Sequence, residues 1–301
     1  MKMKFGKYLA VIVMGLMLLS DEAFAQKTLR MKFVKGSSSV ITLLNTTTIE
    51  TNYAGNKSKT DLTMEMDLSQ TVTDTMPNGS AIVRQKLSRI KMSTAGGGLG
   101  ATLSYDSSTP EDSAEPSPLS LGLKPLVGAE FEIAFNNRGE VLDVTPPEDL
   151  LKKLSENQAT AGFAQLFNGE AFKSMLSQSS VVLPAQAISQ GDKWETKIAS
   201  NAQLGGAAVT ISYVYGGTVE IGGKSLEKLD VSMVVTLIPS QGPDAPKLKV
   251  KKQASSGAMY FDNDGGAMSH SELKQLMQIE TVIGQNTLLQ QTTTNLKMQV
   301  K

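Results

Sequence analysis

The stretch DLTMEMDLSQTV, residues 61–72, decides how the chain reads. Leu62, Met64, Met66, Leu68 and Val72 fall on even positions, with Thr63, Glu65, Asp67 and Ser69 between them. A period of two puts every apolar side chain on one face of an extended strand and the polar ones on the other. The pattern returns in Leu229, Val231, Met233, Val235 and Leu237, which alternate with Lys228, Asp230, Ser232, Val234 and Thr236. Such strands build antiparallel sheets with one face on a core.

Outward from these two stretches, turn signals punctuate the chain: Pro77-Asn78-Gly79, Gly96-Gly97-Gly98, Gly205-Gly206, Gly216-Gly217 and Gly222-Gly223. Between them, strands are predicted over 28–34, 39–50, 58–73, 80–93, 100–105, 128–136, 140–145, 193–200, 207–216, 218–222, 226–238, 248–256, 258–262, 266–282 and 287–300. Several are long, which suits a curved sheet or partial barrel better than a small sandwich. One segment departs from the pattern. Thr145-Pro146-Pro147-Glu148-Asp149 reads as a helix start with Thr145 as N-cap, and Leu150, Leu151 and Leu154 follow at helical spacing. Phe163, Leu166 and Phe167, then Phe172, Met175 and Leu176, read as two further short helices before Pro184.

The expected fold class is therefore mainly β (α+β): a long antiparallel curved sheet or half-barrel with a central helical insertion. Residues 26–301 read as one domain of two related halves, 26–145 and 192–301, joined by helical segment 146–180. The relation of the halves rests on FNNRGEVL (135–142) set against FDNDGGAM (261–268), which matches Phe135 with Phe261, Asn137 with Asn263, Gly139 with Gly265 and Leu142 with Met268.

The N-terminus reads as a secretory leader. Lys2, Lys4 and Lys7 precede a short apolar run from Leu9 to Leu19, and Ala23-Phe24-Ala25 fits a small-x-small cleavage site. The apolar run is shorter than the ~20 residues a spanning helix takes. Cleavage is predicted after Ala25, giving an exported protein, periplasmic or extracellular, with no transmembrane anchor after leader removal. Without residues 1–25, Lys+Arg falls from 29 to 26 and Asp+Glu from 29 to 27, so no basic excess points to nucleic acid. With no cysteine, stability has to come from the core.

FDNDGGAMSH (261–270) holds Asp262, Asp264 and His270, the only histidine. Gly266, Met268 and His270 interrupt the alternate-ligand run of a calcium loop, so the stretch reads as a hairpin turn. A single histidine and no cysteine argue against a zinc site and leave His270 as the only candidate base of a Ser-His-acid triad. GGTVEIGGKS (216–225) misses the phosphate-loop spacing by one and lies between strands. The Ser-x-x-Lys tetrads at Ser225–Lys228 and Ser271–Lys274 lack the supporting elements of acyl-transfer enzymes. Asp106, Glu111, Asp112 and Glu115 read as a solvated acidic loop, and Trp194 as a core residue opening a strand. The expectation is no catalytic residue, no cofactor, no metal and no enzyme activity.

Four elements, LRMKFVKG (29–36), YDSSTPEDSAEP (105–116), LVGAEFEIAFNNRGEVLDV (126–144) and VLPAQAISQGDKW (182–194), carry a resemblance. The chain resembles an uncharacterised family of exported bacterial proteins catalogued as a domain of unknown function. The resemblance implies a fold and no activity. More loosely, the strand-rich pattern with a helical insertion is similar to the half-barrels of lipoprotein-localisation factors, where helices cover a concave sheet and leave an apolar cavity. Fold-level likeness does not carry function.

Two function classes remain. Eleven of the 15 methionines lie beyond residue 25, and aromatics make up 5% of the chain, a mix that suits an adaptable apolar lining. That favours binding a hydrophobic or lipid ligand in the cell envelope. The alternative is a structural or protein-interaction module with an envelope protein as partner, suggested by polar runs such as Gln290-Gln291-Thr292-Thr293-Thr294.

Overall fold

A computed structural model describes residues 26–97, 102–110, 117–156, 172–174, 176–177, 180–199, 207–238, 247–283 and 286–301. Among the described residues, twelve strands form one antiparallel, curved and unclosed sheet. They are β1 (Ser38–Tyr53), β2 (Asn56–Thr75), β3 (Ala81–Gly96), β4 (Leu103–Asp106), β5 (Glu130–Phe135), β6 (Val141–Thr145), β7 (Lys193–Ala199), β8 (Ala207–Ile221), β9 (Lys224–Leu237), β10 (Lys247–Asp262), β11 (Ala267–Ile283) and β12 (Asn286–Val300). Their order is β6-β5-β3-β2-β1-β12-β11-β10-β9-β8-β7, with β4 beside β3. The first and last strands thus meet in the middle, in register from Ile41↔Val300 to Tyr53↔Leu288.

Cross-strand partners share a face, so the register sorts every side chain. Ile90 of β3 pairs with Met66 of β2, Met66 with Leu43 of β1, and Leu43 with Met298 of β12. The next rung runs Met92, Met64, Asn45, Leu296, Leu273. On the far side, Leu229 and Val231 of β9 pair with Tyr215 and Tyr213 of β8. The even positions of 62–72 and the odd positions of 229–237 therefore lie on one and the same apolar face.

That face is covered at its two ends. Over β3, β5 and β6 sit α1 (Pro118–Leu123), a 3-10 turn at Lys124–Leu126 and α2 (Glu148–Glu156), which bury Leu123, Leu126, Leu150 and Leu154 against Ile90, Phe131, Ile133 and Val144. Over β7–β9, Leu29, Val181, Leu183 and Ile188 pack on Ile198, Ile211, Tyr213, Leu229 and Val231.

Three elements differ from expectation. Residues 28–34 join no ladder; with Lys27, which makes an isolated bridge to Ile188, they form a strap across the strand ends. Their alternation is real, because Leu29 and Met31 point into one core and Phe33 into another, but their partners are loops. Thr145 ends β6, and α2 begins after both prolines, with Leu150 N donating to Pro147 O at 3.1 Å. Helix α1 was not expected, although Ser117-Pro118 is an N-cap followed by a first-turn proline, and Ser117 Oγ accepts from Ser120 N at 3.0 Å. The helix expected at Phe163 lies outside the described residues, as does the leader at 1–25. The segments 207–216 and 218–222, and 248–256 and 258–262, are each fused into one strand, with the first join made by a bulge at Tyr215/Gly217.

Candidate functional site

Between the two covers, the apolar face crosses β1, β12 and β11 with nothing over it among the described residues. None of these three strands contributes a buried side chain to the core. Leu43 on β1, Leu296 and Met298 on β12, and Leu273 and Met277 on β11 are half-buried and belong to no core cluster. Interior strands normally bury one face. Here the same alternation runs through the middle of the sheet and ends on an open trough.

The trough is graded along the strands. Near the strap its rungs are Leu68–Ile41–Val300 and Met66–Leu43–Met298. Further on comes a polar rung, Thr47–Thr294–Gln275–Ser255, where Thr47 Oγ1 lies 3.2 Å from Thr294 Oγ1 and Ser255 Oγ is shielded without a hydrogen-bond partner among the described residues. The Gln290–Thr294 run, expected on an outer face, is split: Gln290, Thr292 and Thr294 line the trough, and Gln291 and Thr293 lie behind it.

The strap closes the apolar end. Met31 N donates to Asn137 O at 2.8 Å, and Lys32 N donates to Gly266 O at 2.9 Å, so adjacent strap residues tie down the β5–β6 and β10–β11 turns. Both turns approach through glycines with positive φ, Gly139 at +81° and Gly266 at +66°. A Cβ on Gly139 would sit 2.6 Å from Val181 O, and one on Gly266 would run into Lys32. The strap's first residues carry an ion pair whose acid is buried and whose lysine is partly exposed. Lys27 Nζ reaches Glu227 Oε1 and Thr218 Oγ1, each at 2.6 Å, and Tyr215 Oη donates to Glu227 Oε2 at 2.5 Å. Glu227 is 3% exposed. Burial, helped by the neighbouring Glu227 carboxylate, pushes the Tyr215 hydroxyl up to about 12. The LRMKFVKG element and the VLPAQAISQGDKW element meet here: Arg30 donates to Pro184 O at 2.7 Å and to Ala185 O at 2.5 Å, and Trp194 Nε1 donates to Val182 O at 2.7 Å while stacking on Tyr213. These motifs build a seal rather than a reactive cluster.

The groups singled out by sequence are dispersed. Asp262 caps its turn, Oδ1 accepting from Gly265 N at 2.7 Å. The positive φ of that turn falls on Gly266 and not on Gly265, so the match with Gly139 shifts by one residue. With that shift Val141 answers to Met268, each paired with its Phe beside a bulge. His270 stacks on Tyr260 at 4.3 Å, with Nδ1 3.1 Å from Ser269 Oγ. Ser271 and Lys274 point to opposite faces of β11, because an offset of three on a strand separates side chains. Lys228 pairs with Asp230 at 2.8 Å, and Ser225 with Glu220. Gly222-Gly223 is the β8–β9 turn. Asp106 accepts from Arg89 Nη2 at 2.9 Å and Nε at 3.3 Å, while Glu111, Asp112 and Glu115 lie outside the described residues.

Of helical segment 146–180, under which the half-barrel likeness implies a cavity, residues 157–171 lie outside the described residues. Leu150 and Leu154 fill the space under α2, and the open strip is the neighbouring middle of the sheet. Sequence reasoning missed this because β1, β11 and β12 carry the same apolar alternation as buried strands. The only hint was the threonine and glutamine among their inward positions.

Fold and trough define an open antiparallel β-sheet protein with one uncovered amphipathic strip. Residues 78–234 match DUF6263, a family of unknown function, and the chain belongs to that family. No curated protein matches the chain. Among solved structures, one titled for lipid–protein interactions in lipovitellin is similar over 90% of this chain and 26% of its own, at 9% identity and a TM-score of 0.47. The chain thus spans about a quarter of that protein's length. OccK7 (OpdD) of Pseudomonas aeruginosa aligns with 88% of this chain and 99% of its own at 7% identity and a TM-score of 0.25. OpdQ of the same organism aligns with 88% and 98% at 7% identity and 0.17. No helix among the described residues is long and apolar enough to cross a membrane.

Proposed function

We propose that the chain is an exported, non-enzymatic protein that binds a hydrophobic or lipid ligand along the trough. The observation that carries this reading is the bare middle: three adjacent strands with no buried side chain on a face whose two ends are fully packed. Covering one half-exposed Leu or Met is worth on the order of 1 kcal/mol, so an acyl chain lying along the strands gains from several at once. The polar rung at Thr47–Gln275 offers hydroxyl and amide groups to a headgroup while the rungs toward the strap hold the apolar tail. A protein-interaction module is the alternative, favoured by the outer edges of the unclosed sheet at β6 and β7.

The test is native mass spectrometry of the chain without residues 1–25, incubated with bacterial envelope lipids and then denatured. A stoichiometric adduct, released as lipid and lost in Leu43→Glu and Met298→Glu, supports the reading. A bare mass under those conditions overturns it.

A further inference from the structure

We infer that the polar face behind the trough binds an acidic saccharide, at the end of β1, β2, β11 and β12 far from the strap. The trough residues of β1 are odd-numbered, so its even-numbered residues lie on the opposite face. There Lys59, Glu50, Gln291 and Gln278 form one rung across β2, β1, β12 and β11. Lys57, Asn52 and Leu289 form the next, across β2, β1 and β12. The turn between β1 and β2 fixes this register. Ala54 and Gly55 hold positive φ, +50° and +87°, as a tight two-residue hairpin loop requires.

These rungs line a cavity of about 420 Å³. That volume lies within the ~300–1,000 Å³ of small-molecule sites. Asn52, Gln278, Leu289 and Gln291 are half-buried in its lining. A side-chain amide carries two donors and an acceptor. The amides of Asn52 and Gln278 have no hydrogen-bond partner among the described residues. Gln291 Nε2 donates to Glu50 Oε2 at 3.0 Å, which holds the carboxylate in the lining and leaves Oε1 to accept from a ligand.

This lining selects the occupant. Amides that both give and take hydrogen bonds, beside a carboxylate that only takes them, match neighbouring hydroxyl groups. Leu289 offers the one apolar contact, which suits the C–H face of a sugar ring. An acyl chain would strip water from the amides and return no hydrogen bond. Charge adds the acid. Lys59 pairs with Asp61 at 2.8 Å, whereas Lys57, exposed at the rim, makes no ion pair with the described residues. A free ammonium beside a hydroxyl-binding lining takes a carboxylate carried on the same sugar. The site faces away from the trough and does not depend on what the trough holds.

The experiment is calorimetric titration of the chain lacking residues 1–25 with a galacturonic-acid tetrasaccharide, its carboxyl-reduced twin and a short polyacrylate. The uronate is expected to saturate with a Kd of ~0.1–1 mM, and the other two to bind about tenfold more weakly. Lys57→Ala and Gln278→Ala should each weaken uronate binding about fivefold or more. Lys274→Ala, two rungs away on the same face, should leave it unchanged. Polyacrylate binding as tightly as the uronate shows charge attraction alone and overturns the proposal. Equal binding of the carboxyl-reduced twin overturns it by removing the acid from recognition. Unchanged affinity in Lys57→Ala and Gln278→Ala, or no uronate binding up to ~10 mM, overturns it as well.

Discussion

The wing built by β3, β5 and β6 and the middle built by β1, β12 and β11 are made of the same material. Both alternate apolar and polar residues, and both turn their apolar side the same way. The wing buries Ile133 and Leu154 completely, while the middle leaves Leu43, Leu296 and Leu273 half-open. Alternation specifies a face, and it leaves open what covers that face. The wing's cover comes from local chain, the helices between β4 and β7, whereas the middle strands are joined by turns too short to fold back over them, such as Ala54-Gly55.

The comparison breaks most sharply by truncation. Ile133→Ala and Leu154→Ala should each cost ~3–4 kcal/mol in urea unfolding, since a packed site keeps most of its cavity. Leu43→Ala and Leu296→Ala should cost less than ~1.5 kcal/mol, because those side chains are already half in water. Equal losses at the two places would mean the middle is covered in solution. The strap comes next: Lys27→Ala leaves the buried Glu227 carboxylate with only Tyr215 and Thr218, at a cost of ~2 kcal/mol. Gly139→Ala combines a positive φ with a close approach to Val181 O and should cost ~1–3 kcal/mol, read by thermal melting.

The smallest effect is pH-dependent. Hydrogen bonds from Arg89 and Ser108 hold the Asp106 carboxyl well below the usual carboxylate range. A depressed folded pKa contributes stability that is present above the unfolded value near ~3.9 and is lost as pH falls toward the folded one. Acid unfolding of Asp106→Asn should therefore lose part of its pH slope below ~4 and match the parent's slope near neutrality. An unchanged acid limb would show that Arg89 contributes nothing there.

Much of the fold was legible, and for one reason. The 61–72 and 229–237 stretches carry a period that only strands satisfy, so strand positions followed closely, as did α2 from Leu150 and Leu154. The strap was misread as a strand because Leu29, Met31 and Phe33 alternate above two cores as they would within a sheet. The trough was legible only as composition, methionine-rich and aromatic-poor, while the half-barrel likeness pointed under the helices.

The sequence by itself determined which side chains share a face and where the chain turns, because strand period and glycine conformation are local properties. Only the tertiary structure decided that β1 and β12 meet in the centre and that, among the described residues, the covers stop short of them. Those outcomes depend on which distant segments pack together, and no local pattern encodes which face goes without a partner.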